Sequence, residues 1–116
     1  MINLLAETKK AISDSGHHTS EIVFIGSEGS GHRCSWRQFE SLADVEYDNG
    51  YGGQLVARDL VIVFSDGHKM WRGEYDGSEW WEFSKPPNIP KASFNITSVL
   101  GGLWATLKEI NSAGGE

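Results

Sequence analysis

The chain has 116 residues, 39% hydrophobic and 22% charged, with a formal net charge of −6; this is the composition of a folded domain and excludes a disordered chain. Its longest aliphatic-aromatic run, Leu60 to Phe64, is far below the ~20 residues of a membrane helix, and no basic stretch followed by an apolar block marks a secretory leader. Cys34 is the only cysteine, which rules out an intrachain disulfide and a multi-cysteine zinc site, and the acidic balance argues against sequence-independent binding of nucleic acid. The expectation is a single domain over 1–116 with a frayed tail at 112–116, in the cytoplasm, with no membrane contact.

Residues 2–13 read as a helix, with Ile2, Leu5, Ala6 and Ile12 on one stripe, Lys9 and Lys10 in its latter half and Gly16 as its stop. His17 and His18 follow. Adjacent histidines on extended chain point to opposite sides and chelate poorly without a third ligand, so no metal is expected. Glu21 to Ser27 reads as a strand and His32 to Ser35 as its return arm across a Gly-rich turn. The glycines there do not lead directly into a helix, which argues for a hairpin over a phosphate cradle. Ser35 with Gln38 matches a capping box, predicting a helix from Trp36 to about Tyr47.

The segment from Tyr47 to Gly53 carries Asp48, Tyr51 and several glycines. It reads either as a mobile recognition loop or as a connector with its tyrosines folded onto the core. Residues 54–58 read as ambiguous, with a helix as one option. Leu60 to Phe64, Lys69 to Tyr75 and Glu79 to Phe83 then form a three-stranded meander around Asp66-Gly67 and Asp76-Gly77, both type I′ signals. Pro86, Pro87 and Pro90 end it, and a last helix is predicted from about Ser98 to Asn111, with Val99, Leu100, Leu103, Trp104, Leu107 and Ile110 as its apolar stripe.

Two-residue loops at both turns would pair Ile62 with Trp71, Phe64 with Lys69, Gly73 with Trp80 and Arg72 with Trp81. One face would then carry Leu60, Ile62, Phe64, Trp71, Tyr75, Trp80 and Glu82. The same register sets Glu74 opposite Glu79, a like-charge pair that Arg72 or Lys69 would have to relieve. A longer loop would swap faces.

From Asp44 to Glu82 the chain holds nine carboxylates against three bases, which accounts for its whole net charge, and seven of its 13 aromatics. Acid and aromatic groups together suit contact with a partner; solvated turns around a core are the plainer reading. Nothing compels catalysis. The four histidines fall in no catalytic motif, His32 and Cys34 lack a visible orienting group, and Glu74, Glu79 and Glu82 beside a turn read as solvated.

Four segments, IVFIGS (22–27), CSWRQFESLADVEYDNGYGG (34–53), DLVIVFSDG (59–67) and EYDGSEWWEF (74–83), resemble small proteins encoded by phages and prophages. The resemblance implies an accessory protein that binds and blocks a host protein, with defence systems such as CRISPR–Cas among the targets. It carries over no active site.

The fold expected is α+β, a mostly antiparallel sheet of about five strands with three helices in the order α-β-β-α-β-β-β-α. The function expected is non-catalytic docking on a host protein with a basic surface. Trp71, Tyr75 and Trp80 would be the anchors, Asp48, Glu74, Asp76, Glu79 and Glu82 the steering charges, and Tyr47 and Tyr51 the loop contacts. No cofactor, metal or direct nucleic-acid partner is expected. The alternatives are a pocket for a small nucleotide-like ligand and a virion structural or assembly role with the aromatic face buried in a homo-oligomer.

Overall fold

Asn3 sets the first helix, and what caps that helix decides where the second one stops. The computed structural model describes residues 1–50, 52–84, 89–101 and 103–112. Its elements are β1 (Ile2–Asn3), α1 (Leu4–Asp14), β2 (Ile22–Ser27), β3 (Arg33–Cys34), α2 (Trp36–Leu42), β4 (Glu46–Tyr47), β5 (Leu60–Phe64), β6 (Lys69–Tyr75), β7 (Ser78–Phe83) and α3 (Leu107–Asn111). The Asn3 side chain accepts from the Ala6 amide at 2.8 Å, and the Leu4 and Leu5 amides donate to the carbonyls of Val45 and Ala43 at 3.0 and 2.9 Å. These contacts satisfy donors that a helix start leaves unpaired. The Ser35–Gln38 capping box forms as predicted. The helix it opens stops at Leu42 instead of running to Tyr47, because the chain beyond it is used to cap α1 and to pair β4 with β1.

The main sheet has the order β3-β2-β5-β6-β7, antiparallel at every junction. With the three helices it reproduces the α+β order read from the sequence, the small β1–β4 pair being an addition. Ala11 and Ile12 of α1, Phe39 of α2 and Ala43 pack against Ile25, Ile62, Phe64, Met70 and Trp81, so both helices cover one face of the sheet. The buried Trp81 indole donates to the Thr8 hydroxyl at 2.9 Å, and that hydroxyl donates to the Leu4 carbonyl at 2.7 Å, which leaves neither polar group unpaired in the core.

The two turns of the meander differ. Asp76 and Gly77 both have positive φ, 52° and 88°, and join Tyr75 to Ser78 by the predicted two-residue type I′ loop; Arg72 faces Trp81 and Gly73 faces Trp80 as expected. At the first turn only Gly67 has positive φ. Its amide donates to the Phe64 carbonyl and the Phe64 amide donates to the His68 carbonyl, both at 2.9 Å, giving a three-residue loop. Val61 therefore faces Trp71, and Ile62 faces Met70. This corrects the predicted register by one residue and exchanges the faces of β5 against β6 and β7. Ile62 and Phe64 share the helix-covered face with Met70, Arg72 and Trp81, while Trp71, Tyr75, Trp80 and Glu82 lie on the other.

By its contacts the chain divides into two compact units, Met1–Pro86 and Pro87–Glu116. In the second, the helix predicted from Ser98 starts only at Leu107, behind a Thr106–Glu109 capping box. Positive φ at Gly101 and Trp104 breaks a helical path through the preceding residues. The Asn111 side chain instead accepts from the amides of Thr97 and Ser98 at 2.8 and 3.0 Å and donates to the Ser98 carbonyl at 3.0 Å, closing the segment on itself. Val99, Leu100, Leu103 and Trp104 are exposed and form no buried stripe. Residues 54–58 contain no helix. Tyr51, the Pro86-Pro87 connector, Gly102 and the tail at 113–116 lie outside the described residues. Among the described residues no helix is long and apolar enough to cross a membrane.

Candidate functional site

The antiparallel register brings Trp71, Tyr75, Trp80 and Glu82 onto the sheet face that α1 and α2 leave open. Gly73 is what shapes it. A Cβ there would sit 2.8 Å from both Trp80 Nε1 and Glu82 Cγ, so the Trp80 indole lies across the glycine backbone. Its Nε1–H donates to a Glu82 carboxylate oxygen at 2.6 Å, which fixes the ring from its polar edge. Trp80 is 36% exposed and Tyr75 77% exposed, with Trp71 half-buried between β5 and β7. Asp76 stands at the turn that ends this hairpin and is exposed. The opposite end of the face is basic and already partnered: Lys69 pairs with Glu28 at 3.0 Å, and the Arg33 guanidinium lies 4.7 Å from the Phe24 ring centroid.

The remaining predicted contacts do not join this surface. Glu79 is 1% exposed. Its carboxylate accepts from Arg72 Nη2 at 2.8 Å and from the amides of Leu55 and Val56 at 2.6 and 3.2 Å. It therefore steers nothing. It holds the 55–56 segment against β7 and neutralises Arg72, whose side chain is fully enclosed. This also removes the expected Glu74–Glu79 repulsion, since Glu79 is paired and Glu74 accepts from the Gly77 amide at 3.2 Å on the helix-side face. Burial opposes the charge of Arg72, but its bonds to Glu79 and Tyr47 outweigh that and raise its pKa further.

Tyr47 is likewise buried, as the folded-in reading of its loop had it. Its hydroxyl donates to Glu7 and accepts from Arg72 Nη2 at 3.0 Å. Burial first, and the Glu7 carboxylate second, push the phenol up to about 12. Asp48 is exposed but accepts from the Gly50 amide at 3.1 Å, an Asx turn. Tyr51 lies outside the described residues. Sequence places charged groups outside by default, and the amides that capture Glu79 lie 23 and 24 residues upstream, so no local signal announced its burial.

The histidine pair separates as extended chain requires. His18 is exposed, whereas His17 is buried and its ring stacks on Phe64 with centroids 4.0 Å apart. His17 Nε2 lies 2.6 Å from Asp66 Oδ2, and His68 Nδ1 lies 3.2 Å from the same oxygen. The His68 amide bonds Asp66 Oδ1, and that contact first, with His17 second, lowers the Asp66 pKa. Cys34 is free and half-buried, and burial pushes its thiol up, away from a reactive thiolate. Two shallow hollows of about 230 and 290 Å³ flank the β2–β3 hairpin, and among the described residues neither is lined by Trp or Tyr.

Comparison with known proteins finds no family, no curated protein and no solved structure that matches this chain.

Proposed function

We propose that the protein is a non-catalytic binding module that docks the open face of its sheet on a partner protein presenting basic side chains. The observation that carries this reading is the preset Trp80 ring, packed closely against Gly73 and held by Glu82, beside Trp71 and the exposed Tyr75. A rigid indole ready for a second surface loses little rotamer freedom on contact, and Trp and Tyr dominate interface energetics. Among the described residues neither Glu82 nor Asp76 forms an ion pair, and both carboxylates favour Lys and Arg on the partner. The resemblance to phage accessory proteins supports a host protein as that partner, and inhibition as the consequence.

The test is paired affinity capture from host lysate with the wild-type chain, Trp80→Ala and a Lys10→Ala control on the exposed flank of α1. The reading expects a basic protein retained by the wild type and the control and lost by Trp80→Ala, a drop of at least about tenfold, with retention weakened by salt. Equal retention by Trp80→Ala, or no retained protein, overturns it. Sedimentation of the same variants decides the homo-oligomer alternative: a dimer dissolved by Trp80→Ala assigns the face to a second copy and overturns a separate partner.

A further inference from the structure

We infer that His17, Asp66 and His68 form a binding site for a divalent cation of the zinc type. One ligand atom from each lies within 4.8 Å of the other two. The side chains come from the loop that follows α1 and from the first turn of the meander, a convergence independent of the open aromatic face. The His18 ring, which the sequence offers as the natural neighbour, takes no part.

Hydrogen-bond logic at His17 shows why a cation suits the cluster. The Ser15 hydroxyl is 2.7 Å from the Ile12 carbonyl, which only accepts, so the single Ser15 proton is committed there. The 2.9 Å contact between Ser15 Oγ and His17 Nδ1 is then a donation from the ring. With its proton on Nδ1, the neutral imidazole turns a lone pair at Nε2 toward the Asp66 carboxylate, 2.6 Å away. Two acceptors at that distance require a positive centre between or beside them. A proton on Nε2 would serve that one pair.

It would not serve His68. Nδ1 of that ring is buried and has no hydrogen-bond partner among the described residues, although it sits 3.2 Å from the same Asp66 oxygen. The two histidine rings meet edge to face, with centroids 5.6 Å apart and planes at 86°. A metal ion satisfies both imidazole lone pairs and the carboxylate together. The surrounding bonds resemble those that orient metal ligands: Ser15 fixes the His17 tautomer from behind, Phe64 fixes its plane, and the His68 amide holds the second Asp66 oxygen. Two imidazoles and a carboxylate select zinc-like ions over Mg²⁺ or Ca²⁺, which take mostly oxygen. The Asp66 and His68 side chains are 45% and 30% exposed, so a fourth position is open to water.

The experiment is titration of the purified chain with Zn²⁺ by calorimetry, with Mg²⁺ as the comparison ion. The wild type is compared with Asp66→Asn, His68→Ala and Cys34→Ser, each checked by circular dichroism; His17→Ala is avoided because its ring packs in the core. The site predicts saturable binding of about one Zn²⁺ per chain, weakened at least about tenfold by Asp66→Asn and by His68→Ala and unchanged by Cys34→Ser. Wild-type protein alone gives a second reading from the ring-nitrogen NMR signals of its histidines. Zn²⁺ should move His17 and His68 while His18 and His32 stay. No Zn²⁺ binding, binding undiminished in both ligand variants, loss in Cys34→Ser alone, or shifts confined to His18 and His32 would each overturn the inference.

Discussion

The meander contains the dipeptide Asp-Gly twice, and the two copies fold differently. At Asp76-Gly77 both residues take positive φ, the loop has two residues, and the Asp76 carboxylate is exposed. At Asp66-Gly67 only the glycine does, the loop gains a residue, and the aspartate reaches His17 and the His68 amide. The first kind of turn is set by local chemistry, because Asp and Gly tolerate the left-handed region that the twist of a two-residue hairpin demands. The second is set by a tertiary partner 49 residues earlier in the chain. A one-residue difference in loop length then decides which face of β6 and β7 meets the helices, and so which tryptophan is buried.

The largest break in this comparison should come from the second hairpin's interior. Glu79→Ala leaves Arg72 enclosed without its anion and strands the Leu55 and Val56 amides. Removing one partner of a buried pair costs about 3–5 kcal/mol, so chemical denaturation should show a loss of that order. A loss below about 1 kcal/mol would mean that Glu79 reaches water, and would return it to the list of surface charges.

Smaller, and aimed at the turns themselves, are the replacements Gly77→Ala and Gly67→Ala. Both glycines have φ near 90°, at 88° and 89°, so each alanine should cost about 1–2 kcal/mol of stability in denaturant. Replacing the aspartates should separate the two sites. Asp76→Gly keeps a residue that accepts positive φ and should be nearly neutral, whereas Asp66→Gly removes the partner of His17 and of the His68 amide and should lower the melting temperature. Equal responses at the two positions would show that both loops are governed by backbone preference alone.

The same contrast marks what the sequence made legible. Strand alternation, the Ser35–Gln38 cap and the Asp76-Gly77 turn are local signals, and the five-stranded sheet with its helix order followed from them. The first loop was not legible because Asp-Gly fits both a two-residue loop and a three-residue loop with glycine in the left-handed region; His17 selects between them. In the candidate site, the grouping of Trp71, Tyr75, Trp80 and Glu82 survived the slip, since all four lie on the second hairpin, whose register held. Tyr47 and Glu79 were misplaced as surface contacts because their partners, Glu7, Arg72 and the Leu55 and Val56 amides, meet only in the fold. The last helix failed for a related reason: its apolar spacing is real, but the backbone turns at Gly101 and Trp104 before helix can form.

The smallest expected effect is a pH dependence that sharpens the difference between the two aspartates. The amide of His68 first, and the ring of His17 second, hold the Asp66 carboxyl below its ordinary value of 3.8 in the folded chain. A carboxyl that ionises more readily when folded stabilises the fold fully above its unfolded pKa, and that contribution disappears as pH falls through the lower, folded value. Wild-type protein should therefore lose stability on acidification below about pH 4 more steeply than Asp66→Asn, whose amide cannot ionise. Asp76→Asn makes the same charge change at the other turn and is the matched reference. Urea unfolding midpoints from about pH 5 to about pH 2 give the three slopes. If the slope of Asp66→Asn matched that of Asp76→Asn, the contacts to Asp66 would carry no electrostatic weight, and the three-residue loop would need another cause.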